Sequence, residues 1–431
     1  MLLKGALVAT LDPPRVEPAD LRIDAAEGRI AQRGAGLAPG PGDDVVSCDG
    51  ALVLPGLVNA HTHLYSALAR GMPAPTPPPR SFVEVLERVW WRLDRALDAE
   101  SVHLSALVGA IEAARSGTTL LVDHHSSPSF IRGSLEVLRR AVEEVGLRSV
   151  LCYEVTDRNG PEGRAAGLAE NDAFLAGAES PLTRGLVGAH ASFTLSEEAL
   201  QELGQLVQRR GRGVHVHVAE DRADVEDAQA RYGETVPARL LRHGLLTRAL
   251  LAHCVHLPAA DVAFVHSQGA WIAHNPRSNM NNHVGHAAFG APARVALGTD
   301  GIDQDLLAEL RAAFFKMRDA GRPDAFGAAL ELLAGGHRLA AALFGLPFGK
   351  LDEGGPADLV VLDYVPPTPI AADNLAGHLL FGLDRSHVRD VMVAGRWVVR
   401  ERRLTTVDTA AVYAQARQAA RDLWAHMSRL A

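Results

Sequence analysis

Short apolar runs recur along the middle of the chain, and several end on a histidine or an acid. Eight stand out: Leu52–Ala60, Thr119–Asp123, Arg148–Glu154, Leu186–His190, Gly213–Val218, Leu250–Cys254, Trp271–Asn275 and Val295–Thr299. Near-continuous apolarity bounded by Gly, Pro and charged residues marks strands covered on both faces, as in parallel sheets. Stretches with helical spacing separate them. Eight alternating strand–helix units are what a closed parallel barrel requires.

The two ends read differently. Ala6–Thr10, Leu21–Asp24 and Arg29–Ala31 alternate apolar and polar residues, and Gly40–Asp44 breaks the chain. The same style returns in Ala357–Asp363, Val388–Ala394 and Arg396–Arg400. Strands at both ends around a long α/β middle predict one composite β domain assembled from both termini. Residues 1–54 and 354–405 are therefore assigned to it, 55–353 to the barrel, and 406–431 to a helix packed outside. The first strand–helix connection is long. It carries the rigid stretch Pro73–Pro79 and then a helix around Phe82–Leu93. Long loops of this kind at a barrel rim select substrate.

The chemistry sits at the strand ends. His61 and His63 leave the first strand two residues apart, and so share a face. His217 ends the fifth strand, with Glu220 three residues on. His253 ends the sixth, and Asp300 follows the eighth. Each follows the C-terminal end of a strand, where a (β/α)8 barrel keeps its active site. Imidazole and carboxylate ligands with a position left for water suit zinc or iron in hydrolysis. His215 shares a face with His217 and reads as a core histidine. Asp300 also suits a helix cap, but its place at a strand exit favours ligation. His190, His124 and His125 follow other strands to the rim, and one of the last two faces inward.

The order Pro55-Gly56-Leu57-Val58-Asn59-Ala60-His61-Thr62-His63, His217 with Glu220, His253-Cys254, His274-Asn275-Pro276-Arg277-Ser278-Asn279 and Gly298-Thr299-Asp300-Gly301 resembles the amidohydrolase superfamily. The likeness is to its cytosine/guanine deaminase and triazine-hydrolase branch, over essentially the whole chain. Trp90–Leu97, Asp123–Pro128, Asn275–Gly285 and Phe314–Gly321 are similar to SsnA-type, chlorohydrolase-like aminohydrolases. The resemblance implies a small β-sandwich beside the barrel and a homodimer. It also implies one divalent metal per chain, zinc before iron, on His61, His63, His217 and Asp300. Glu220 then shuttles the proton and His253 stabilises the oxyanion from beside the metal. Binuclear relatives bridge their metals with a carbamylated lysine on the fourth strand. Here Lys4, Lys316 and Lys350 are the only lysines, so such a bridge is excluded. His190, His125, Trp90 and Asn279 are the expected substrate contacts. Adjacent tryptophans on a helix cannot both face a ligand, so Trp90 and Trp91 are not both expected in the pocket. Arg277 suits a carboxylate or a subunit boundary.

The expected activity is deamination of a small aminated heterocycle such as a purine, pyrimidine, pterin or triazine. A proton-shuttling Glu220 favours a nitrogen leaving group, which must be protonated to depart. Cyclic-amide opening and hydrolytic dechlorination use the same site. A binding protein on a non-catalytic barrel is the alternative of another class, and it fits poorly with an intact set of ligands and acid. The net charge of −8 carries no basic block, so nucleic acid is not an expected partner. Neither a membrane span nor a signal-peptide core is evident, and a cytoplasmic location is expected. Cys48, Cys152 and Cys254 form no disulfide or zinc-finger spacing.

Overall fold

The computed structural model describes residues 1–177, 179–287, 289 and 294–430. The barrel strands are β1 Leu57–Thr62, β2 Thr118–Asp123, β3 Arg148–Leu151, β4 Val187–Ala191, β5 Val214–Val218, β6 Leu250–His253, β7 Trp271–His274 and β8 Val295–Leu297. Parallel pairing runs from β1 to β3 and from β4 to β8. A short strand, Thr183–Gly185, joins β3 just before β4 begins. Closure of β8 onto β1 uses the Asp300 amide, which donates to the His61 carbonyl at 3.0 Å. Every residue of these eight strands is buried, which is why their sequences read as unbroken apolar runs.

The intervening helices follow the spacing rule. Ser134–Val145 buries Leu135, Leu138, Ala141, Val142 and Val145, and it stops at Gly146. Such a stripe recurs every three to four residues and faces the sheet.

A second, nine-stranded sheet takes strands from both chain ends. It includes Leu2–Leu11, Pro14–Asp24 and Arg29–Gly34 from the front, and Leu359–Leu362, Val388–Val393 and Arg396–Arg400 from the back. It is one continuous hydrogen-bonded sheet rather than two separate ones. It folds back so that Ala357 N–H reaches the Gly28 carbonyl at 2.9 Å. Leu3, Val8, Leu21, Ile30, Val53 and Leu359 share its core.

The run expected as one strand, Leu52–Ala60, is two. Leu52–Pro55 pairs antiparallel with Leu359–Leu362, so Pro55 lies in the small sheet and the barrel begins at Leu57. The division falls at Gly56. Its N–H goes to Asp358, while the next N–H goes to Gly117 in the barrel. A Cβ at Gly56 would lie 2.2 Å from the Thr119 side chain, so only glycine fits this crossing.

The final helix, Thr409–Arg429, is capped by Asp408, close to its expected bounds. It braces the rim: Trp424 Nε1 donates to the Leu68 carbonyl at 2.9 Å, and Arg92 donates to the Leu430 carbonyl at 2.8 Å. The expected helix Phe82–Leu93 breaks into Phe82–Val85, a wide π turn at Leu86–Trp90, and Trp91–Ala96.

Candidate active site

His61 and His63 emerge on one side of β1 and meet His217 from β5 and Asp300 beyond β8. One ligand-type atom from each lies within 4.8 Å of the others. Asp300 Oδ1 is 2.9 Å from His63 Nε2 and 3.4 Å from His61 Nε2. Ser278 Oγ holds the other carboxylate oxygen. Gly298 permits this convergence, because a Cβ there would lie 2.8 Å from the backbone N and Cβ of His61.

What lies behind each ring fixes which nitrogen faces the centre. His63 Nδ1 donates to the His124 carbonyl at 2.6 Å, and His217 Nδ1 donates to the His190 carbonyl at 2.8 Å. His61 Nδ1 is 2.9 Å from His215 Nε2. His215 Nδ1 lies 3.7 Å from Cys152 Sγ, whose thiol donates to the Asp123 carbonyl at 3.5 Å. That direction makes His215 Nδ1 the donor and its Nε2 the acceptor from His61. All three Nε2 atoms thus present lone pairs inward. His63 and His217 Nε2 stand only 3.3 Å apart, and His61 Nε2 has no hydrogen-bond partner. Lone pairs gathered this closely around a carboxylate require a cation. Three imidazoles and one carboxylate are a donor set that fits zinc.

The electrostatics agree. Burial pulls the His61 imidazole down to about 3 and drives His217 well below its ordinary value, so both are neutral. Burial would also lower His63, but Asp300 overrides it and holds the imidazole up at about 9. Burial would raise Asp300, yet the His61 and His63 imidazoles beside it keep it well below the usual carboxylate range. Without a metal, the centre takes up a proton instead.

Glu220 and His253 form the opposite wall. Glu220 Oε2 is 3.5 Å from His253 Nε2, and Asn282 donates to Oε1 at 3.3 Å. Burial pushes the Glu220 carboxyl up to about 7. His253 Nδ1 donates to Asn279 Oδ1 at 2.8 Å, which turns its partnerless Nε2 toward the site. His253 and Asp300 have φ of +73° and +54°, and Ala219, just before Glu220, has +46°. Left-handed backbone at a non-glycine residue costs on the order of 1 kcal/mol or more, and here it aims side chains at one point.

A cleft of about 800 Å³, open mouth included, leads to this centre. Trp90 and His190 line it as expected. Trp91 lines it as well, because the wide turn before it lets neighbouring indoles share a wall. His125 and Asn279 do not line the cleft. His124 is the inward member of its pair, donating to the Ala189 carbonyl at 3.0 Å. His125 turns away, and its ring bonds Ser127 Oγ at 2.8 Å. Asn279 stands behind His253. Arg277 is engaged within the chain by Asp303 and Glu309. Tyr65, Asp94, Glu154, Arg158 and Phe193 also line the cleft, and sequence reasoning missed them. Only Glu154 carried a signal, as an acid closing the third apolar run.

The amidohydrolase family model matches residues 52–398. A 5-methylthioadenosine/S-adenosylhomocysteine deaminase of Desulforudis audaxviator is 33% identical over 418 residues, covering 92% of this chain and 93% of that protein. A 5′-deoxyadenosine deaminase of Methanosarcina mazei is 29% identical, covering 99% of each. Among solved structures, a zinc-bound adenosine deaminase from Xanthomonas campestris superposes with a TM-score of 0.83 at 25% identity, covering 98% of each chain. By match length and by whole-chain likeness, this chain belongs to the amidohydrolase family.

Proposed function

We propose that this protein is a zinc-dependent deaminase of adenosine-type nucleosides. It replaces the exocyclic amine of the purine by oxygen and releases ammonia. The carrying observation is the facing arrangement of two groups: three inward Nε2 atoms with Asp300 on one side, and Glu220 with His253 on the other. In this reading His61, His63, His217 and Asp300 hold a single metal ion. When bound, such a cation would lower the pKa of water toward neutrality.

The remaining steps belong to the chain. Glu220 takes a proton from water and returns it to the departing nitrogen. A carboxyl near pKa 7 can both accept and give a proton at neutral pH. His253, locked by Asn279 through Nδ1, accepts a hydrogen bond at Nε2 from the attacking water and so steers its oxygen. Trp90 and Trp91 stack on the planar ring, and His190 meets its edge. Burial excludes bulk water from the reacting atoms. The whole-chain likeness to deaminases supports the choice of an aminopurine over a cyclic amide.

The test is direct. Zinc-loaded protein is given 5′-methylthioadenosine, 5′-deoxyadenosine and adenosine, and ammonia is measured. Release from at least one nucleoside, abolished by Glu220→Ala, supports the reading. No release from any of the three rejects it.

A further inference from the structure

The cleft has an unusual charge balance. Asp94, Glu154, Glu220, Asp221, Asp224 and Asp300 all line it. Among the described lining residues, Arg158 is the only lysine or arginine. Arg158 is itself cancelled: its Nη2 donates to Asp94 Oδ2 at 2.5 Å, to Glu154 Oε1 at 2.8 Å and to Ser126 Oγ at 3.2 Å. Its guanidinium also lies 5.0 Å from the centre of the Trp91 ring, against the aromatic wall. Two carboxylates on one guanidinium leave this part of the cleft negative. A bound divalent cation still leaves the lining acids in excess. Burial lifts Asp94 to about 6 despite Arg158, so it remains a carboxylate at neutral pH.

We propose that the cleft selects its substrate by charge. It admits a planar aminoheterocycle with neutral substituents and rejects the same ring carrying a carboxylate, and Asp94 and Glu154 set this preference by cancelling Arg158. The identity of the ring rests on the deaminase reading above, whereas the selection by charge rests on the lining. An anion entering here meets like charges in a low-dielectric pocket, which weakens its binding. Nothing in the lining compensates, since the one guanidinium already serves two carboxylates. Of the two substrates in the relatives' shared name, the choice falls on 5-methylthioadenosine. S-adenosylhomocysteine carries a zwitterionic amino acid, and its carboxylate would meet no uncommitted guanidinium in this lining.

The experiment uses a matched pair: 5′-methylthioadenosine, and the analogue in which its S-methyl is S-carboxymethyl. Binding to the zinc-loaded protein is read by quenching of Trp90 and Trp91 fluorescence, at about pH 8, where the lining acids are ionised. The expected result is affinity on the order of 100-fold weaker for the carboxylate. Asp94→Asn should narrow that gap on the order of tenfold by freeing Arg158. Glu154→Gln serves the same purpose if the first variant does not fold. Equal affinities, no binding of the neutral member, or a gap unchanged in both variants would each overturn the proposal. A neutral member that binds without releasing ammonia defeats the deaminase reading and leaves the selection by charge standing.

Discussion

Nδ1 of His61 and Nε2 of His215 share a hydrogen bond of 2.9 Å beneath the candidate metal centre. His63 and His217 are oriented by backbone carbonyls, which no substitution removes. His61 alone depends on a side chain. His215→Phe should therefore weaken zinc binding by roughly 10–100-fold, the usual worth of a group that orients a ligand. His215→Gln keeps an acceptor and should recover part of the loss. Competition with a chelating dye reads both, and unchanged affinity in His215→Phe would refute the relay.

One metal ion per chain is expected, because among the described residues only His61, His63, His217 and Asp300 make a four-ligand set and no lysine is at hand to bridge a pair. Metal analysis should give one zinc per chain in the native protein. His61→Ala and His217→Ala should lose it and keep a cooperative thermal transition. Two tightly held ions per chain would contradict this.

Glu220→Gln should retain the metal and lower turnover by about 10²–10⁴, the range for a lost general acid/base. The loss should be much smaller on a 6-chloropurine nucleoside than on its 6-amino counterpart, because chloride leaves without a proton. Equal losses on both would remove the argument that Glu220 serves a nitrogen leaving group.

The pH profile follows from the same residue. Burial raises Glu220 to about 7, and it accepts a proton only when ionised, so kcat/KM should fall on the acid side. A bound cation favours the carboxylate and moves this limb down, not up. The limb should therefore lie between the ordinary carboxylate range and about 7, and Glu220→Gln should abolish it. An acid limb that survives in the variant points to another group.

His253→Asn tests whether His253 binds metal or only steers. His253 Nε2 faces Glu220 at 3.5 Å and is not part of the four-residue cluster. Zinc content should stay near one per chain while the rate falls by about 10²–10³, as on losing one group that holds the reacting oxygen. Near-complete loss of metal would move His253 into the coordination sphere.

The sequence by itself determined the strand count and the strand-end chemistry. Buried parallel strands must be apolar along their whole length, and functional side chains must stand at their exits, so both are written linearly. The convergence of His61, His63, His217, Glu220, His253 and Asp300 on one centre was legible for that reason. Tertiary structure decided the rest. Whether Leu52–Ala60 is one strand or two depended on the contact between Gly56 and Thr119, which are far apart in sequence. Which of His124 and His125 turns inward depended on carbonyls from other strands. Trp91 joined Trp90 on the cleft wall through a local π turn that apolar spacing does not encode. The left-handed backbone at His253 and Asp300 is strain that only the surrounding packing can impose. Arg158 carried no signal in the sequence, and folding set Asp94 and Glu154 against it. Such pairings are set by long-range closure of the barrel, and local pattern carries no record of them.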